Sequence, residues 1–92
     1  MRIKALFQGI LSDWAGVPQA EINLPDGGNY ADLLSAIRKN YGHNLPSQLG
    51  SKDQEGFNRA IWAMRGKEKL SELTTRLNDG EEIQFFLSLA GG

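Results

Sequence analysis

Asn29-Tyr30-Ala31-Asp32-Leu33-Leu34-Ser35-Ala36-Ile37-Arg38-Lys39-Asn40-Tyr41-Gly42 is the stretch from which the architecture is read. Tyr30, Leu33, Leu34 and Ile37 fall at i, i+3, i+4 and i+7, which lays one apolar stripe along a helix over 30–40. Asn29 suits the N-cap, where its side-chain oxygen accepts from free N–H groups of the first turn, and Asp32 sits at the acid-favouring end. Arg38 and Lys39 occupy the last turn, where the helix dipole favours cations. Gly42 is expected to end the helix in a left-handed conformation, and Tyr41 to carry the stripe onto neighbouring structure.

On both sides of this helix the period changes from helical to twofold. Ile3, Ala5 and Phe7 alternate with Lys4, Leu6 and Gln8, the pattern of a strand with one apolar face. Ile10 to Trp14 suits a short helical turn between Gly9 and Gly16. Ala20, Ile22 and Leu24 alternate with Glu21 and Asn23 in a second strand that stops at Pro25-Asp26-Gly27-Gly28. Beyond the helix, residues 43–56 read as a polar loop with Leu45 and Leu49 as anchors. Ile61-Trp62-Ala63-Met64 reads as a buried strand ending near Gly66. Residues 67–77 stay ambiguous: Leu70, Leu73 and Leu77 have helical spacing, yet the span has room for a short strand and a turn. Asn78-Asp79-Gly80 is a turn, and 82–87 forms a last strand with Ile83, Phe85 and Leu87 on one face and Gln84 and Phe86 on the other.

With 92 residues and no linker or repeat, the chain is expected to be a single domain over residues 1–92, its tail at 88–92. Strand, strand, helix, strand, short piece, strand is an α+β order. It is the order a ubiquitin-like β-grasp domain requires: a mixed sheet of four to five strands against one main helix.

Composition narrows the chemistry. Ten Lys+Arg against eleven Asp+Glu give a net charge of −1, without the cationic surplus of a general nucleic-acid binder. The absence of cysteine excludes a disulfide framework, a cysteine-rich zinc site and a thiol nucleophile. Mean hydropathy is −0.39, and no apolar run approaches the roughly 18 residues of a membrane span. Met1-Arg2-Ile3-Lys4 leads into no apolar signal core and offers no Gly at position 2, so a cytoplasmic protein without membrane attachment is expected.

The sharpest functional signal is Leu89-Ala90-Gly91-Gly92, directly after the last strand. With 11 glycines in 92 residues, a final Gly-Gly arises by chance in roughly 1–2% of such chains. Leu77-Asn78-Asp79-Gly80-Glu81-Glu82-Ile83 followed by Phe85-Phe86-Leu87-Ser88-Leu89-Ala90-Gly91-Gly92 resembles the end of the sulfur-carrier proteins typified by the small subunit of molybdopterin synthase. Ile3-Lys4-Ala5-Leu6-Phe7 and Leu11-Ser12-Asp13-Trp14-Ala15-Gly16 resemble that family's first strand and following turn. The chain departs from it in having Leu87-Ser88 where many members have Pro-Pro, Ser12 where they have Arg, and Met64-Arg65-Gly66-Lys67 where they commonly have an Asn-containing turn.

The resemblance implies a carrier and enzyme subunit rather than an enzyme by itself. By that resemblance, a ubiquitin-activating-type adenylyltransferase is expected to use ATP to adenylate the Gly92 carboxylate, and a sulfur donor to convert the acyl-adenylate to a thiocarboxylate. The tail Leu89, Ala90 and Gly91 is then expected to enter the larger molybdopterin synthase subunit, where sulfur would pass to a pterin precursor. Glycines suit such a tail because they have no side chain to obstruct a narrow channel and accept whatever backbone conformation a partner imposes; an unpaired terminus is expected to be mobile until a partner orders it. Phe86 points away from the face of Ile83 and Phe85, so a helix over that face leaves it solvent-exposed as a partner-docking residue. Thiazole or cysteine synthesis, conjugation of Gly92 to protein lysines, and a plain interaction module with an inert tail remain as alternatives.

Other residues have simpler readings. Trp14 and Trp62 are expected to pack in the interior. His43 stands alone, without a second histidine or a carboxylate at ligand spacing, so no metal site is expected. Asp79, Glu81 and Glu82 suit either a surface that steers a basic partner or a solvated turn. Lys67 and Lys69 read as a polar face, and Gly27-Gly28 as a turn rather than a phosphate loop.

Overall fold

The twofold and helical periods become strands and helices in a computed structural model that describes residues 1–46, 49 and 53–88. In chain order these are β1 (Arg2–Phe7), α1 (Ile10–Ala15), β2 (Gln19–Asn23), α2 (Tyr30–Tyr41), α3 (Gln54–Ala60), β3 (Ile61–Arg65), β4 (Glu68–Leu70) and β5 (Glu82–Leu87). The strands form one sheet in the order β2-β1-β5-β3-β4. β1 runs parallel to β5 at the centre, and the other neighbouring pairs are antiparallel.

Alternation along each strand sends one set of side chains to a single core. Ile3, Ala5 and Phe7 of β1, Ile61 and Ala63 of β3, and Ile83 and Phe85 of β5 are buried against the Tyr30, Leu33, Leu34 and Ile37 stripe of α2. Tyr41 extends the stripe as expected, meeting Phe7 edge to face with ring centroids 5.6 Å apart.

The start of α2 is fully tied. Asn29 Oδ1 accepts from the Asp32 N–H, and Asp32 Oδ2 accepts from the Asn29 N–H, both at 3.0 Å, a reciprocal capping box. The Tyr30 and Ala31 N–H groups donate to the Thr75 and Leu73 carbonyls of the segment that returns beneath the helix, at 2.8 and 2.9 Å. That segment bonds to Gly28, whose carbonyl accepts from the Leu77 N–H at 3.2 Å; a Cβ on Gly28 would stand 3.0 Å from both Met1 Cε and the Pro25 carbonyl, a tight contact.

Three expectations need correction. Gly42 is right-handed (φ −61°, ψ −31°), and the chain tightens into a 3₁₀ turn over Gly42–Asn44 instead of stopping there. The polar stretch ahead of the third strand is not all loop. Asp53 caps α3 by accepting from the Gly56 N–H at 2.7 Å, and Phe57 and Ala60 lie buried on that helix. Gln54 fastens it to α2 by donating to the Ala31 carbonyl at 2.7 Å and to Ser35 Oγ at 3.0 Å. Arg38 reaches Gln54 Oε1 at 3.3 Å and lies over the Phe57 ring. Leu45 and Leu49 do anchor the connection: Leu49 is buried and Leu45 packs against the core. Finally, β3 is not buried on both faces, because Trp62 is 42% exposed.

The ambiguous span holds both a strand and a crossover. Leu70 and Leu77 are buried, whereas Leu73 is only partly so. Arg65 secures this crossover: its guanidinium donates to Glu68 Oε1 at 2.9 Å, to the Arg76 carbonyl at 3.0 Å and to Glu81 Oε1 at 3.4 Å.

Candidate functional site

β5 is the central strand and carries the chain to the end of the sheet where the Gly-Gly sequence follows. On one side the Gln8 N–H donates to the Phe85 carbonyl at 2.9 Å, and on the other the Ser88 N–H donates to the Ala60 carbonyl at 3.0 Å. Ser88 is therefore tied to the α3–β3 junction, and Phe85, three residues earlier, to the β1–α1 junction. Leu89, Ala90, Gly91 and Gly92, expected to form the activated tail, lie outside the described residues.

The outer face of the sheet, opposite the core, surrounds this point. Phe86 lies directly across from Trp62, and one row inward Leu6, Gln84, Met64 and Lys69 line up across β1, β5, β3 and β4. Phe86 faces away from the core as alternation requires, but it is half-buried rather than freely exposed. Trp62 flanks it across β3, and a shallow groove beside it is lined by Gln8, Gly9, Ile10 and Leu87. Gly9 has φ +58° with open space where a Cβ would be. A residue with a side chain would be strained there and would project beside the groove.

The exposed aromatic of this face is instead Trp62, read from the sequence as a packing residue. Its indole N–H donates to Met64 Sδ at 3.0 Å, and Lys69 Nζ lies 3.8 Å from its ring centroid. Ile10 on α1, 47% exposed, is the second large apolar side chain open to solvent near residue 88. Trp14, by contrast, packs against the core as expected. Lys69 thus belongs to an apolar patch, not to a plain polar face.

The acidic group near residue 80 is largely committed to the fold. Asp79 Oδ1 accepts from the Arg2 N–H at 2.7 Å, and Glu81 accepts from the Asn78 N–H and from Arg65. Two of the three carboxylates thus hold the crossover onto β5. His43 is exposed in the 3₁₀ turn, and among the described residues no three His, Cys, Asp or Glu side chains gather in a metal-binding group. No described helix is long and apolar enough to cross a membrane.

Trp62 and Lys69 carried no recognisable signal in the sequence. Ile61, Trp62, Ala63 and Met64 are all apolar, so alternation is silent within that strand. Only the pairing of Trp62 with Phe86 and of Ala63 with Phe85 shows which side chains face out.

No protein-family model matches the chain, and no curated protein matches it. Solved structures do. SAMP1 from Haloferax volcanii superimposes over 100% of both chains with a TM-score of 0.75 at 19% identity. A second structure of that organism's small archaeal modifier protein 1 gives a TM-score of 0.74 at 17% identity, over 96% of this chain and 98% of that one. The Pyrococcus furiosus protein described as "Putative molybdopterin converting factor, subunit 1" gives 0.75 at 22% identity, over 97% and 99%. At these identities the likeness is one of fold. Central parallel β1 and β5, the strand order, the α2 packing and these neighbours together give the chain the ubiquitin-like β-grasp fold.

Proposed function

We propose that this chain is a sulfur carrier whose Gly92 carboxylate is the reacting group, acting as the small subunit of a molybdopterin synthase. The observation that carries the reading is the placement of Ser88. The central strand of a β-grasp domain ends there, tied to Ala60, and the next four residues in the sequence are Leu89-Ala90-Gly91-Gly92. The likeness to a molybdopterin converting factor subunit supports the same assignment.

The chemistry divides between the chain and its partners. A free carboxylate is a poor acyl donor at neutral pH. In the proposed route a Gly92 oxygen attacks the α-phosphate of ATP on a ubiquitin-activating-type adenylyltransferase, and pyrophosphate leaves. A sulfur donor then displaces AMP, leaving a thiocarboxylate in which one oxygen has been replaced by sulfur. The chain's own contribution is to hold the tail root at Ser88 and to present Phe86 as part of a docking face, while Leu89, Ala90 and Gly91 enter the adenylyltransferase and then the larger synthase subunit.

A second reading shares the activation step. Likeness to an archaeal modifier protein favours transfer of the Gly92 acyl group to a protein lysine. Intact-mass measurement after incubation with ATP, a sulfur donor and the adenylyltransferase from the same source tests both. A gain equal to sulfur in place of oxygen, localised to Gly92, is expected for the carrier. Heavier lysine-linked conjugates without a thiocarboxylate acting on a pterin precursor would favour the modifier. No modification of Gly92 of either kind overturns both.

A further inference from the structure

The outer face of the sheet divides into two electrostatically different halves. In the half remote from residue 88, Lys4 is aligned with Glu21 and Glu82, and Arg2 pairs with Glu21 at 3.7 Å, so opposite charges lie side by side. The half next to residue 88 carries Phe86, Trp62, Leu6, Met64, Gln84 and Gln19, and Lys69 is the one charged group in these two rows of described residues. Among the described residues no carboxylate lies within 4 Å of its ammonium; it rests on the Trp62 ring instead. Arg65, on the neighbouring strand, has both Glu68 and Glu81. An ammonium on an exposed indole, within an apolar patch that lacks its own anion, is complementary to an apolar surface carrying a carboxylate.

From this charge pattern we infer that the Trp62–Phe86 face binds a partner protein through an apolar side chain set next to an Asp or Glu. The apolar group covers the exposed part of Trp62 and the half-buried Phe86, and the carboxylate pairs with Lys69. Lys69 is then the residue that discriminates between partners: a basic or purely apolar segment leaves it desolvated and unpaired, at a cost in affinity. The inference rests on the docking role proposed above for Phe86 and gives that role a partner chemistry.

The test uses the whole chain, panned against a phage-displayed library of random linear peptides, with binding of the selected synthetic peptides then followed by fluorescence and NMR. Enriched peptides are expected to combine a large apolar residue with an adjacent Asp or Glu and to perturb the amides of β3 and β5. Trp62→Ala and Lys69→Glu should each weaken binding at least tenfold at a temperature where both variants are folded, as their amide spectra show. Replacing the peptide carboxylate by Lys should restore binding to Lys69→Glu and not to the parent. No enrichment, enriched peptides without a carboxylate, or equal binding by the folded variants would overturn the inference. These outcomes are independent of Gly92 modification, so failure of the carrier reading, seen by mass, is distinguishable from failure here.

Discussion

Tyr30 places a phenol hydroxyl in the core with no hydrogen-bond partner among the described residues. Burial disfavours the phenolate and pushes the hydroxyl's pKa well above the usual tyrosine range. In the unfolded chain the group ionises near pH 10, as a free tyrosine does. The folded state therefore loses stability relative to the unfolded state as pH rises past about 10, by up to about 1.4 kcal/mol per pH unit, and none below it. Tyr30→Phe removes an unsatisfied polar atom and should leave stability at pH 7 equal to the parent's or up to about 1 kcal/mol higher. It should also flatten the alkaline decline. Urea unfolding of both proteins at pH 7 and pH 11 checks this; a loss above about 2 kcal/mol at pH 7 would mean that the hydroxyl is satisfied after all. The sequence marks Tyr30 as the first residue of an apolar stripe, but says nothing of where its oxygen ends. The same blindness affected Trp62, since an aromatic within an all-apolar strand has no polar neighbour to betray its side.

At the scale of elements, α2 was legible because its signals agree: stripe, cap and charged ends all specify the same helix. Its cap is a testable part. Asn29→Ala should cost about 1 kcal/mol in urea unfolding, because the Asp32 N–H loses its acceptor in the capping box. The helix α3 was not legible, since seven residues with Gly56 inside give too little period to register. It is held by tertiary contacts: Gln54 bonds to Ala31 and Ser35 of α2, and Phe57 fills the core. Gln54→Ala should cost about 1–2 kcal/mol. Hydrogen exchange should show amide protection falling first over residues 54–60, with α2 little changed. Equal loss in both helices would show that α3 is not a separable unit. The Gly42 expectation failed for a related reason: a glycine after a helix permits a left-handed stop but does not impose one, and here the following 3₁₀ turn leads to the Leu45 anchor.

At the scale of the molecule, the residues that hold the fold together can be tested apart from the residue proposed to react. The core cluster takes residues from every strand and helix, and Arg65 joins β3, β4 and the crossover through Glu68, the Arg76 carbonyl and Glu81. The hydrogen bond to Glu68 pushes the guanidinium pKa further up, so this clamp keeps its charge throughout the physiological range. Arg65→Ala should therefore cost about 1–2 kcal/mol. The melting temperature should fall by about 4–8 °C for each kcal/mol lost in a domain of this size. Thiocarboxylation at temperatures where the variant is folded should be unaffected, because none of its partners lies at the tail root. Gly92→Trp should do the reverse. The tail reading puts residue 92 outside the folded core, so the melting temperature is expected to move by less than about 4 °C, under about 1 kcal/mol. The bulky side chain at the reacting carboxyl should abolish adenylation in the narrow channel proposed for the tail. Differential scanning calorimetry and intact mass on the same two samples check the pair. A Gly92→Trp protein that is thiocarboxylated normally would remove the reacting role from residue 92. One that melts well below the parent would instead tie that residue to the fold.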